Sequence, residues 1–377
     1  MLLKNLNIDK DHFLAEVWQR KPLVIKKGIQ DFQDPIDEHD LAGLAQDADI
    51  DSRIVSLNNN NWSVEQGPFD EFEHLCVGKW TLMVQGVDRW IEDINDLAKH
   101  FSFIPHWRFD DVMVSYSVPG AGVGPHVDQY DVFLIQGKGK RHWKVGEPDM
   151  VVATSPHKNL QQVEPFEPTI DVILEPGDIL YIPPGFPHCG ESIEPCLTYS
   201  VGFRAPNARD LLQPINEALF NQSSLPRYQD QLLSPKRQPQ KITKAELVQL
   251  TRLVQEELQS SLWEQTLLAH LSDQSLPVEI PEHAYSEQEI YDHLSENGSL
   301  HPVLGCRPIT FEQDEKRVFI NGEVYAFNDE LGPRLTQLIS NGTAIQMTSL
   351  DGAVEGPNST IVNTLTQLAN NGILLVE

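Results

Sequence analysis

Three residues of this chain have the types and the spacing to hold a transition metal. His126 and Asp128 stand two apart in GPHVDQYD, so on an extended strand both side chains point to one face. About sixty residues later, PGDILYIPPGFPH (Pro176 to His188) sets a short apolar strand between Gly- and Pro-rich turns and delivers His188 to the next strand. Two imidazoles and one carboxylate on a common face take three positions of an octahedral Fe(II) and leave three open for exchangeable ligands and O2. Catalytic zinc more often keeps a single open position, so zinc is the poorer fit. Among 13 histidines an H-x-D is a weak signal by itself, and its pairing with the second histidine carries the assignment. The expected catalytic metal ligands are His126, Asp128 and His188.

An oxygenase of this kind that consumes 2-oxoglutarate needs a cation for the distal carboxylate. The segment after the H-x-D, DVFLIQGKGKRHWKVG, reads as a hairpin with Lys138 in its Gly-flanked turn. On the returning strand, alternation puts Arg141, Trp143 and Val145 on one face and Lys140, His142 and Lys144 on the other. The face with Trp143 and Val145 is the apolar, inward one, so Arg141 is the expected 2-oxoglutarate anchor, and its planar fork suits a carboxylate. Ser117, on the strand before the H-x-D, is expected to add a hydroxyl to the same carboxylate.

The elements that must position these residues are strands. DVMVSYSV (Asp111–Val118), DVFLIQ (Asp131–Gln136), DVILEPGDILYI (Asp171–Ile182) and CLTYSVGF (Cys196–Phe203) are short, β-branched or aromatic, and bounded by turn residues. A short helix is predicted over Asp11–Trp18 and a strand from Leu23. The spacing PGDxxxxPxGxxH is a signature of the cupin barrel, so residues 1–205 are predicted to form a mainly β, double-stranded β-helix catalytic domain. Residues 206–277 turn helical: Leu211, Leu212, Ile215 and Leu219 share one face, as do Leu247, Leu250, Val254 and Leu258 behind a Thr243/Glu246 capping box. The apolar faces of these helices point to a homodimer. The stretch 223–240, rich in Pro, Ser and Gln, reads as loop. Residues 278–377 open with a Ser286/Glu289 capping box, continue through a VFINGEVYAF hairpin turning at Asn321-Gly322, and close with helical patterns near 330–340 and 359–369. That is a winged-helix-like α+β unit.

Composition narrows the class. A length of 377 residues with 40% hydrophobic and 22% charged residues fits two or three globular domains. The first twenty residues mix charges, which argues against a secretory leader, and no apolar run is long enough to span a membrane. Four scattered cysteines without a CxxC pair suggest a reducing, cytoplasmic setting. The net charge of −27 repels phosphate, so direct nucleic-acid binding is not expected, and a basic protein is the favoured partner. Residues 278–377 carry 15 acidic against 4 basic residues, a poor surface for DNA whatever its shape.

The segments FLAEVWQRKPLVI, SVPGAGVGPHVDQYDVFLIQGKGKRHWKVG, LEPGDILYIPPGFPH and YSVGFRAPN together resemble the JmjC-type ribosomal oxygenases, and more closely the bacterial ribosomal protein arginine hydroxylases. The likeness extends over essentially the whole chain. It implies Fe(II), 2-oxoglutarate and O2 as cofactor and cosubstrates, and hydroxylation of an arginine β-carbon in a large-subunit ribosomal protein. It also places Asp111, Met113 and Tyr130 where such relatives hold the target side chain. From the residues alone two alternatives stay open: a metal-binding cupin without oxygenase activity, and a JmjC demethylase acting on a basic protein.

Overall fold

Fourteen strands build the first unit. They are β1 (Leu23–Ile25), β2 (Ser52–Asn58), β3 (Asn61–Gln66), β4 (Lys79–Val84), β5 (Phe109–Ser117), β6 (His126–Val127) and β7 (Asp131–Gln136). They continue with β8 (Arg141–Val145), β9 (Ala153–His157), β10 (Leu160–Val163), β11 (Ile170–Leu174), β12 (Ile179–Ile182), β13 (Pro187–Ser192) and β14 (Cys196–Phe203). The structure is a computed structural model and describes residues 6–230, 238, 240–327, 332–350, 354 and 356–377.

Two sheets account for most of these strands, an eight-stranded one ordered β1-β12-β7-β14-β5-β4-β2-β3 and a four-stranded one ordered β11-β8-β13-β6. Central strands of the large sheet are buried on both faces, which explains why β7 and β14 read as near-continuous apolar runs. On one face Phe133, Ile135, Tyr181, Tyr199, Val201 and Phe203 join a core with Phe13 of helix α1 (Lys10–Glu16), Leu41 of α2 (Glu38–Leu44) and Ile94 and Leu97 of α3 (Glu92–Lys99). Phe13 meets Tyr181 edge-on at 4.9 Å, and burial of each such ring contributes roughly 1.5–3 kcal/mol. On the other face Val132, Leu134, Leu180 and Ile182 meet Trp143, Val145 and Leu174 of the small sheet. The two sheets thus close on each other, giving the predicted double-stranded β-helix.

A buried ion cluster ties the helical layer to the barrel. Asp131 is fully enclosed and accepts hydrogen bonds from Tyr181 Oη at 2.6 Å, Arg108 Nη2 at 2.8 Å and Gln19 Nε2 at 3.0 Å. A buried carboxylate is tolerated because three donors satisfy it.

The second unit contains helices α4 (Ala208–Phe220), α5 (Lys244–Glu257), α6 (Ser261–Ser272), α7 (Glu287–Ser295), α8 (Gly332–Asn341) and α9 (Thr360–Asn370). The remaining strands are β15 (Leu300–Pro302), whose last residue groups with the first unit, β16 (Ile309–Phe311), β17 (Asp314–Ile320), β18 (Glu323–Ala326) and β19 (Leu374–Val376). Both predicted capping boxes form, at Thr243/Glu246 and at Ser286/Glu289. The hairpin turns at Asn321 and Gly322 with φ of 48° and 85°, the left-handed region those residues tolerate. Residues 206–275, 281–301 and 307–377 group as one compact unit, while 276–280 and 302–306 group with residues 1–205. The chain passes from the first unit to the second between Ala205 and Pro206. The helical stretch and the C-terminal region fall together, because α6 packs on β16, β17 and β18. Where the loop 223–240 is described it holds no regular element; 231–237 and 239, like the start of the helical pattern near 330, lie outside the described residues. Among the described residues no helix is long and apolar enough to cross a membrane.

Candidate active site

Register brings the two histidines together. β6 pairs with β13 so that His126 stands directly opposite His188, and the imidazole centroids lie 4.2 Å apart. Asp128 Oδ2 is 3.9 Å from His126 Nε2 and 3.4 Å from His188 Nε2, and all three ligand atoms fall within 4.8 Å of one another. Each ring places Nδ1 3.0 Å from the carbonyl two residues earlier, Gly124 O for His126 and Phe186 O for His188. Those carbonyls can only accept, so they fix the tautomer with the proton on Nδ1 and leave both Nε2 lone pairs facing the centre.

The electrostatics suit a cation. Burial, with the His188 imidazole beside it, draws His126 down to about 4, so this ligand is neutral at pH 7. Burial alone would push Asp128 up, yet the neighbouring His188 and His126 rings and the Tyr130 hydroxyl hold its carboxyl down to about 2. Two imidazole nitrogens and one carboxylate on one face are the donor set that Fe(II) takes in this chemistry.

These ligands line a cavity of about 440 Å³ between the two sheets, with walls from β2, β4, β5, β7 and β14 on one side and β6, β8 and β13 on the other. At its buried end lies Arg141, 4% exposed, with its guanidinium 4.9 Å over the Trp143 ring. Its hydrogen bonds are long: Nη1 to Thr198 Oγ1 at 3.3 Å and Nη2 to Gly190 O at 3.4 Å. Nε has no partner, and among the described residues no carboxylate pairs with this cation. Burial accordingly lowers its pKa. A buried, half-satisfied guanidinium is costly unless an anion completes it. The lining therefore fits a dicarboxylate that reaches from the metal ligands to Arg141. Gly190 makes room for that guanidinium, since a Cβ there would stand 2.7 Å from Arg141 Nε.

Strand parity is as expected: Lys140 pairs outward with Glu175 at 2.6 Å, His142 pairs outward with Asp171, and Lys144 is exposed. Ser117 lies deeper than the cavity lining. It shares the inward parity of Met113 and Ser115, but it is fully enclosed, bonded to Thr81 Oγ1 at 2.9 Å, and lies behind the cavity wall. The hydroxyl that meets Arg141 is that of Thr198. CLTYSVGF carries the missed signal, because Thr198 and Ser200 are the polar residues alternating with Leu197, Tyr199 and Val201.

Met113 and Tyr130 line the outer part of the cavity. Asp111 stands one inward position above Met113, outside the lining itself, where Oδ2 accepts from Gly86 N at 2.8 Å. Burial, then Asp110 and Asp88, push its carboxyl up to about 7. Sequence reasoning also missed Arg53 of β2 and Lys158 of the β9–β10 turn, both of which line the cavity from segments remote in the chain. Cys189, beside His188, has its thiol pushed up by burial and offers no activated thiolate.

Residues 96–211 match the family model of the JmjC domain, and residues 223–375 match that of the ROXA-like winged helix. The chain is 40% identical to the ribosomal protein uL16 3-hydroxylase of Escherichia coli K12, over 99% of each chain. It is 29% identical to a probable ribosomal oxygenase of Haemophilus influenzae, over 98% of this chain and 97% of that one. Among solved structures, E. coli YcfD is similar with a TM-score of 0.91 at 38% identity, covering 100% of both chains. YcfD in complex with cobalt and 2-oxoglutarate is similar with a TM-score of 0.86 at 38% identity, over 99% of each chain.

Proposed function

Because this chain belongs to the JmjC ribosomal oxygenase family, we propose that it hydroxylates an arginine side chain, at the β-carbon, of the large-subunit ribosomal protein uL16. It is an Fe(II)- and 2-oxoglutarate-dependent oxygenase. The observation that carries this reading is a buried guanidinium without a carboxylate partner in the same cavity as a His-Asp-His cluster. With iron bound, the centre supplies oxidative decarboxylation: 2-oxoglutarate and O2 become succinate and CO2, and one oxygen atom enters the substrate C–H bond. His126, Asp128 and His188 would hold the metal. Arg141 and Thr198 would grip the distal carboxylate. Val132, Leu134 and Trp143 exclude water from the space between, so the chain contributes position and a dry enclosure.

On this reading Tyr130, Met113 and Asp111 orient the target arginine. Asp111 has the stronger consequence. Its carboxyl is pushed up to about 7, so it is largely protonated below that pH, whereas a bound guanidinium favours the ionised form. Affinity for an arginine peptide should therefore rise as pH increases from 6 to 8 and level off above. Asp111→Asn should abolish that pH dependence and weaken peptide binding by about ten- to a hundredfold, while sparing iron and 2-oxoglutarate. Peptide KM measured across pH for both proteins checks this. The reaction itself is tested with a basic ribosomal peptide containing arginine and its lysine-substituted twin, scored by mass for the gain of one oxygen atom. Equal hydroxylation of both, or of neither, defeats the arginine assignment. Oxidation of a methylated lysine peptide would favour the demethylase alternative.

The protein is further proposed to act as a homodimer in the cytoplasm, where a ribosomal protein substrate is made. No residue of α5 is buried: Leu247, Val248 and Val254 are 60%, 58% and 59% exposed. On α4, Leu212 and Phe220 are exposed as well. An apolar face of that extent on one helical region fits a second copy of the same region. Light scattering at micromolar concentration should report twice the chain mass of 42.6 kDa, and a monomer would remove the dimer.

A further inference from the structure

The cavity has a buried end and an open end, and its charges differ from those of the protein around it. Arg141, Trp143, His188 and Thr198 are all at most 4% exposed, while Tyr130, Lys158, Asn159 and Gln161 are exposed and mark the opening. Two cations lie among the lining residues outside Arg141, namely Arg53, half-buried on β2, and Lys158 on the β9–β10 turn. Neither side chain has an ion pair or a hydrogen bond to any described residue. Other described cations, such as Lys79 and Lys144, are likewise without a carboxylate partner, and what sets Arg53 and Lys158 apart is that both line the cavity. Elsewhere on the barrel Lys26, Lys138 and Lys140 are each paired at 2.6 Å, to Asp178, Glu38 and Glu175.

The dianionic cosubstrate meets an unfavourable field on its way in. The chain carries −27 overall, and Asp110 and Asp111 lie near this end of β5. Screening confines these effects to about 8–10 Å at physiological salt, so charges at the opening decide the last part of the approach. We infer that Arg53 and Lys158 form a cationic mouth that draws 2-oxoglutarate past the acidic surface and hands it inward to Arg141. With no fixed carboxylate paired to either, their field at the opening is not cancelled locally. This inference rests on the 2-oxoglutarate assignment above and adds a role in the rate of capture, distinct from the grip of Arg141.

The test is stopped-flow mixing of 2-oxoglutarate with the full-length, Co(II)-loaded protein, followed by absorbance. The Arg53→Gln/Lys158→Gln double variant should lose about tenfold in association rate at low ionic strength, within the range known for electrostatic steering, with little change in dissociation rate. Its deficit should shrink toward nothing near 0.5 M salt, where the Debye length is about 4 Å. Arg53→Lys, which keeps the charge, should retain the wild-type rate, and Lys158→Gln alone covers the case in which Arg53→Gln fails to fold. An association rate equal to wild type at every salt concentration overturns the proposal. So does a deficit that persists unchanged at high salt, or an effect confined to peptide KM, which would assign the two cations to the protein substrate. Failure of the wild type itself to bind 2-oxoglutarate would instead overturn the cosubstrate assignment, and the capture role with it.

Discussion

Asp128→Ala is expected to abolish hydroxylation and to weaken metal binding by at least about a hundredfold. Altering an outer partner of a metal ligand already costs 10–100-fold, and here one of three ligands is lost together with the site's only carboxylate. Two imidazoles would remain, without a negative charge to offset a dication. The fold should survive. The Asp128 backbone carbonyl still accepts from Gly185 N at 2.8 Å, and the side chain that is lost interacts with the two imidazoles and the Tyr130 hydroxyl. Metal titration, succinate release and thermal unfolding of the metal-free protein separate these effects. Wild-type turnover in this variant would sink the triad assignment, and a large drop in metal-free stability would mean that Asp128 is structural.

Arg141→Ala should raise the 2-oxoglutarate requirement by about ten- to a hundredfold, the worth of a desolvated charge-assisted contact of about 1.5–3 kcal/mol. Lys140→Ala and Lys144→Ala should change it by less than about twofold, because both side chains face solvent and Lys140 is already paired with Glu175. A second readout discriminates between roles. Removing one partner of a buried ion pair typically costs about 3–5 kcal/mol, whereas removing a buried charge that has no anionic partner relieves a penalty. Arg141→Met, which keeps bulk against Trp143, should therefore unfold at a temperature equal to or above that of wild type without ligand, and gain nothing from added 2-oxoglutarate. A strongly destabilised, ligand-free Arg141→Met protein would point to a structural arginine instead.

The sequence by itself determined the features that depend on local periodicity and on turn chemistry. Alternation along single strands put His126 with Asp128 and turned Arg141, not Lys140 or Lys144, into the barrel. Side-chain caps are equally local, so Thr243/Glu246 and Ser286/Glu289 were legible, as was the turn at Asn321-Gly322, which needs two residues tolerant of positive φ. What only the tertiary structure decided is depth and company. Parity states which face a side chain takes, but not how far along the barrel it sits; Ser117 and Ser115 share a face, yet Ser117 ends behind Thr81 and Thr198 reaches Arg141. Arg53 and Lys158 meet in one cavity because β2 and the β9–β10 turn converge there, a consequence of sheet order that no local pattern encodes. The same holds for Asp111. Its type was legible, but its carboxyl stands near 7 only because folding buries it beside Asp110 and Asp88, and desolvation is a property of the assembled surroundings rather than of the residue.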